Sequence, residues 1–223
     1  MKDNLNLIVM LTHNDKTVKN ANEIFDECKN SKATYWGMKE ENLPLEKMKQ
    51  LYKNMKQQNK TTVLEVVTYT EEEGLKGANI AIECKVDILM GTMFFDSINE
   101  LCQRNNIKYM PFVGKVSERP SILEGNVEDM IKEANSYIEK GAYGIDLLGY
   151  RYIGDAVKLN KEIVTNVNGP VCIAGSINSY QRLDEIKDAN PWAFTIGGAF
   201  FENKFNDTFN NQINKVCNYI KEK

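Results

Sequence analysis

Pro170-Val-Cys-Ile-Ala-Gly-Ser-Ile-Asn178, followed by Trp192-Ala-Phe-Thr-Ile-Gly-Gly-Ala199, uses one pattern twice. Each segment is a short apolar run that ends in glycine and leads into residues of helical period. A strand that runs directly into Gly175, or into Gly197 and Gly198, turns tightly with no Cβ in the way. The first N–H groups of the helix that follows then have no intrahelical acceptor. Two such units in succession read as a βα repeat, the element from which parallel sheets are built.

Working outward, the same alternation fills the chain. Apolar runs at Leu5–Leu11, Ala33–Met38, Thr62–Val67, Val86–Gly91, Ile107–Val113, Gly144–Leu148, Val171–Ala174 and Ala193–Ile196 read as eight strands. Between them, residues 18–28, 45–55, 72–83, 98–104, 127–139, 156–167 and 180–187 carry apolar positions at helical spacing, and residues 209–220 close the chain in the same way. Pro44 fits a first helical turn, Ser179 an N-cap, and Gly141 and Gly169 follow helical patterns. Eight strands alternating with helices predict an α/β fold, a single (βα)8 TIM barrel domain over residues 1–223. A flavodoxin-like sheet is the alternative. It leaves strands surplus and expects its phosphate loop after the first strand, where this chain has Thr12-His13-Asn14-Asp15 and no glycine.

Composition sets limits. With 223 residues, 42% hydrophobic, 26% charged and a net charge of −3, the chain has no general field for nucleic acid or an anionic membrane, so neither is expected as a partner. Five widely spaced cysteines without a CxxC pair predict reduced, mostly buried thiols and a cytoplasmic location. The first apolar run contains Asn6 and is too short for a membrane span, and it lacks the flanks of a signal peptide.

The glycine turns then acquire a chemical meaning. A phosphate dianion is held well by N–H groups at helix N-termini, and (βα)8 barrels often build such a site from the loops after strands seven and eight. Gly175, Ser176, Gly197 and Gly198 are therefore the expected phosphate contacts at the C-terminal strand ends. The plainer reading is that these glycines only permit tight turns.

Charged residues inside buried strands are costly unless paired or functional. Glu65 in Val63-Leu64-Glu65-Val66-Val67 and Asp146 in Ile145-Asp146-Leu147-Leu148 are flanked by aliphatics, so period-two alternation points both carboxylates into the barrel. Lys39 ends the neighbouring strand and is within reach of Glu65. Together they form an acid/base couple or, alternatively, an internal salt bridge that merely closes the barrel. Lys115 is a second candidate electrophile. His13 follows the first strand and is a candidate acid/base or substrate ligand, or simply an exposed loop histidine. Arg119, in the long connection Gly114 to Gly125, and Arg151, after the sixth strand, are candidate substrate contacts. No HxH, HExxH or carboxylate cluster suggests a metal, and no cofactor is expected.

The C-terminal quarter resembles the ribulose-phosphate-binding barrel superfamily, which includes phosphoribosyl isomerases and N-acylmannosamine-6-phosphate epimerase. The likeness is carried by Pro170 to Ser176, a helix with Leu183 and Ile186, and Trp192 to Ala199. It implies a TIM barrel and phosphate contacts at Gly175, Ser176, Gly197 and Gly198. The departures are equally specific. The third strand reads Glu65-Val-Val-Thr-Tyr-Thr rather than DxKxxD, the first strand offers Ile8 and Met10 where the histidine-pathway isomerases use aspartate, and the lysine is on the second strand rather than the third. The expected partner is a phosphorylated small molecule, and the expected reaction an isomerisation or epimerisation. A Schiff-base lyase or aldolase on Lys39 or Lys115 and a noncatalytic phosphometabolite-binding barrel are the alternatives. A homodimer is compatible with a barrel of this size, and no stripe marks an interface.

Overall fold

The computed structural model describes residues 5–222; the outermost positions of the expected 1–223 domain lie outside them. Eight parallel strands form the sheet, namely β1 (Asn6–Met10), β2 (Tyr35–Lys39), β3 (Thr61–Val66), β4 (Ile88–Gly91), β5 (Lys108–Met110), β6 (Ile145–Leu147), β7 (Val171–Ile173) and β8 (Ala193–Ile196). Their order, β6-β7-β8-β1-β2-β3-β4-β5, is that of a rolled sheet. It closes between β5 and β6, where the Asp146 N–H donates to Pro111 O at 2.9 Å and Phe112 pairs with Asp146. Pro111 has no N–H for a regular ladder, which explains why β5 stops at Met110.

Helices α1 (Ala21–Cys28), α2 (Leu45–Gln57), α3 (Glu71–Glu83), α4 (Asp96–Arg104), α5 (Val127–Glu139), α6 (Ala156–Asn166) and α7 (Tyr180–Ala189) surround the sheet. A single turn, α8 (Gly198–Phe201), follows β8, and α9 (Phe209–Tyr219) packs back beside α1. Side chains at alternate positions sort into two cores, as strands buried on both faces require. Leu7, Val9, Trp36, Met38, Leu64 and Val66 face the helices. Trp36 meets Phe25 of α1 edge to face at 5.1 Å, an arrangement that contributes about 0.5–1.5 kcal/mol beyond area burial.

Ile8, Met10, Val63, Ile88, Met90, Met110, Cys172 and Ala193 fill the barrel itself. Its N-terminal end is plugged by Trp192, whose ring takes Tyr35 and Tyr143 edge to face at 5.6 and 5.8 Å. All five cysteines are buried free thiols. Burial pushes Cys28, Cys84 and Cys217 up to about 11 and Cys102 to about 12, and also raises Cys172 well above the usual thiol value. Among the described residues, no helix is long and apolar enough to cross a membrane.

Every strand and helix expected from periodicity is present, with ends moved by a few residues. Pro44 takes the N-cap position of α2 rather than its first turn, while Ser179 caps α7 as expected by accepting from the Arg182 N–H at 3.3 Å. Two β-hairpins and α8 are additions. The first hairpin pairs Thr12–His13 with Lys16–Thr17, and the second pairs Lys115–Ser117 with Ile122–Glu124.

Candidate functional site

A cavity of about 620 Å³ opens at the C-terminal strand ends. Its glycine-rich wall begins at β7, where Gly175 (φ +86°) and Ser176 (φ +55°) lie consecutively in the left-handed region. For Ser176 that conformation costs about 1–2 kcal/mol. The Arg182 guanidinium, donating to Ser176 O and stacking over Tyr150 at 4.8 Å, holds it there. After β8, a side chain at Gly197 would collide with Thr12, whose Oγ1 lies 2.7 Å and carbonyl 2.8 Å from the Cβ position. At Gly198 the same position has room, its nearest neighbours being Glu202 Oε1 and His13 Cδ2, both at 3.8 Å. The Gly198 and Ala199 N–H groups open α8, where no i−4 carbonyl serves them, and both residues line the cavity.

Arg151 reaches this wall from the one-turn 3₁₀ segment Gly149–Arg151, its Cγ 3.0 Å from the Cβ position of Gly175. Among the described residues its guanidinium has no carboxylate partner, whereas Arg119 pairs with Glu41 and Glu40.

The opposite side is built from charge. β2 and β3 pair with Lys39 directly across from Glu65, as the strand pattern predicts, and Lys39 Nζ lies 3.8 Å from Glu65 Oε1. Both residues are 8% exposed. Lys39 Nζ also donates to Asp15 Oδ1. The first hairpin supplies Asp15 because Asn14 (φ +50°) and Asp15 (φ +63°) both adopt positive φ, the requirement of a two-residue type I′ turn. Thr17 pins that hairpin to β2, its hydroxyl donating to Lys39 O at 2.8 Å and accepting from Lys39 N–H at 3.0 Å. Burial works against the Lys39 ammonium, but Glu65 and Asp15 outweigh it and leave its pKa raised.

Asp146 faces the barrel interior as expected but lies beneath the floor. It is 0% exposed, does not line the cavity, and among the described residues neither carboxyl oxygen has a hydrogen-bond partner. Burial, reinforced by the Glu65 charge and only partly offset by Lys39 and the Gly91 peptide dipole, holds its pKa well above the ordinary value. It lies under the Lys39–Glu65 pair and is not a group that can touch a ligand.

His13 lines the cavity beside the glycine wall, stacked on Phe201 at 5.5 Å, with Nε2 3.7 Å from Glu202 Oε1. Arg119, at the tip of the second hairpin, covers the β2–β3 side: it donates to Glu41 at 2.7 Å and to Val67 O. Lys115 does not join the site. Its side chain is 74% exposed and pairs with Glu124 at 3.3 Å, because the connection expected as a loop is a hairpin that turns this position outward. Asp15 and Glu202 escape a reading based on hydrophobic pattern. The one available signal for Asp15 is the Asn-Asp pair between Thr-His and Lys-Thr, a turn composition.

No family model and no curated protein matches the chain. Solved structures do. N-acetylmannosamine-6-phosphate 2-epimerase from Clostridium perfringens is similar over 96% of this chain and 93% of its own, with 14% identity and a TM-score of 0.64. N-(5'-phosphoribosyl)anthranilate isomerase from Pyrococcus furiosus is similar over 97% and 98%, with 13% identity and a TM-score of 0.67. The glycerol uptake operon antiterminator regulatory protein from Listeria monocytogenes is similar over 88% and 93%, with 14% identity and a TM-score of 0.59. The chain shares its fold with these proteins.

Proposed function

We propose that this barrel is an enzyme acting on a small phosphorylated metabolite, an isomerase or epimerase that moves a proton next to a carbonyl. One observation carries the reading. The Lys39–Glu65 pair and the glycine turns of β7 and β8 line the same cavity from opposite sides. β3 stands four places from β7 in the ring of eight strands, so a ligand anchored at the glycines spans the barrel mouth to reach Glu65.

In this mechanism the phosphate rests on the Gly175–Ser176 turn and the first N–H groups of α8, with Arg151 alongside. Glu65 takes the proton from the carbon next to the carbonyl. The C–H electron pair forms a C=C bond, the carbonyl π pair moves to oxygen, and the Lys39 ammonium stabilises the enediolate charge. Return of the proton to the former carbonyl carbon, with the neighbouring hydroxyl proton passing to the enediolate oxygen, gives an isomer; an epimer requires protonation of the original carbon on its opposite face by water or a second cavity group, for which His13 is the candidate. Asp146 acts through Glu65: burial and the Glu65 charge both favour its protonated form, which limits negative charge below the base.

A Schiff-base lyase needs a free amine. Glu65 and Asp15 keep Lys39 an ammonium ion, and Lys115 is outside the cavity, so the proton-transfer reading is favoured. The regulatory protein among the structural neighbours motivates a second reading, a phosphometabolite-binding barrel without turnover.

The test is the melting temperature of the purified chain against inorganic phosphate and a panel of phosphorylated sugars, amino sugars and phosphoribosyl compounds, with Gly198→Asp alongside. Ligand at 100 times its Kd stabilises the fold by about 2.7 kcal/mol. A shift abolished in the variant supports the phosphate wall, and turnover of that compound lost in Glu65→Gln supports the acid/base role. Binding with no turnover moves the reading to the regulatory alternative, and borohydride trapping of an adduct moves it to the lyase.

A further inference from the structure

We infer that His13, the single histidine of the chain, contacts the anionic group of the ligand and holds a proton while that group is bound, so that anion binding at the glycine wall is coupled to proton uptake. This rests on the proposed function, whose anion-binding wall it completes.

The glycine wall carries a carboxylate as well as donors. A Cβ at Gly198 would stand 3.8 Å from Glu202 Oε1 and 3.8 Å from His13 Cδ2, so carboxylate and imidazole border the same space. An anion that enters it meets Glu202 at close range, in a cavity where like charges repel more strongly than in water. Glu202 has Lys204 at 3.4 Å on Oε2 and His13 Nε2 at 3.7 Å from Oε1. Neutralising the newcomer calls for a charge that the empty wall does not already spend on Glu202.

Lysine and arginine side chains keep their charge across the neutral range, whereas histidine exchanges a proton within it. Lys204 beside Glu202, Arg151 on the wall, Lys16 on the hairpin that carries His13, and Lys39 with Asp15 and Glu65 across the cavity are therefore a fixed background. His13 is the group that can add a charge. Its ring lines the cavity, is stacked on Phe201 at 5.5 Å, and is reachable, with 34% of the side chain exposed. A protonated imidazole has two N–H donors, one for Glu202 and one for the ligand. So engaged, His13 is not free to protonate carbon, which leaves that step of an epimerisation to water.

The sign of the coupling follows. An anion beside His13 favours its protonated form, and by reciprocity the protonated form favours the anion. Affinity is greatest below the titration midpoint of the free protein and falls as pH rises towards the midpoint of the complex.

The test is proton NMR of the His13 ring on the full, untagged chain, titrated from about pH 5.5 to about pH 8.5 with and without inorganic sulfate or inorganic phosphate. One histidine gives one set of ring signals. Sulfate is the decisive probe, because it stays a dianion throughout, whereas phosphate gains a proton of its own near about pH 6. Saturating sulfate is expected to move the His13 midpoint up by about 0.5 or more, and the sulfate Kd to be about threefold or more lower at about pH 6 than at about pH 8. His13→Gln should abolish that pH dependence, and Glu202→Gln should tighten sulfate binding at about pH 8 by about threefold or more. Sulfate binding that leaves the midpoint in place, or a pH dependence that survives in His13→Gln, overturns the inference and leaves the phosphate wall intact; unchanged affinity in Glu202→Gln overturns the conflict assigned to that carboxylate. Failure of both anions to bind also overturns it, and the proposed function is then decided separately by the melting-temperature panel of phosphorylated compounds.

Discussion

At the β7–β8 end of the cavity the polar surface is peptide N–H, the His13–Glu202 pair and one guanidinium without a carboxylate partner among the described residues; at the β2–β3 end it is side-chain charge already paired within the protein. The first end is arranged to receive a charge from outside, since its donors have no acceptors of their own. The second is arranged to keep its charges in place, since Thr17 and Asp15 fix Lys39 from one side and Glu65 from the other. The contrast assigns binding to one wall and proton transfer to the other, and variants at each should fail in different ways.

The largest effect is expected at the charged end. Glu65→Gln should lower kcat by about a hundredfold or more while changing the Kd for the phosphorylated ligand by less than about threefold. Comparable losses in kcat and affinity would merge the two ends into one function.

The mirror image is Gly198→Asp, which adds a carboxylate at the α8 N–H groups, where the Cβ position has room. Affinity for any phosphorylated ligand should fall by about thirtyfold or more with little change in melting temperature of the free protein. Retained affinity would move the phosphate elsewhere.

Asp146→Asn tests what lies under the charged end. The folded pKa of Asp146 is raised, so the folded state holds its proton more tightly than the unfolded chain does. Its contribution is therefore fully present below the unfolded value of about 3.9 and is lost as pH rises from there towards the folded value. Asparagine does not titrate, so the stability of the variant relative to wild type should rise from pH 4 to pH 8. Denaturant midpoints across that range decide it, and a parallel pair of curves would mean Asp146 is already ionised in the fold.

The smallest effect concerns Asp15. Asp15→Asn leaves Lys39 with Glu65 alone and should lower the pH at which activity declines on the alkaline side, with kcat at neutral pH changed by only about two- to fivefold. An alkaline limb that does not move would show that Glu65 by itself sets the charge on Lys39.

The fold was legible because barrel strands are buried on both faces and leave uninterrupted aliphatic runs, and the inward direction of Glu65 and Asp146 followed from the same alternation. A closed barrel was expected from the count of eight strands, but the place of closure was not legible, since it depends on hydrogen bonds from Tyr143 and Asp146 to carbonyls of a strand interrupted by Pro111. The two hairpins escaped because strands of two and three residues are too short to show a period of two. Their consequences escaped with them. Lys115 was expected inside and points outward, and Asp15, which completes the pairing of Lys39, went unremarked. Burial depth was equally hidden: nothing in Ile145-Asp146-Leu147 distinguishes a carboxyl that meets ligand from one sealed below the floor.

The five buried thiols make the native chain a poor target for alkylating reagents, since thiolate is scarce wherever burial raises the pKa. Labelling then requires the structure to open. Cys172, inside the barrel, records separation of the strands themselves, whereas Cys28 on α1 and Cys217 on α9 record departure of the helices. The order in which a mass spectrometer finds these cysteines modified would give a map of how the protein comes apart, obtained from the unaltered sequence and without an introduced probe.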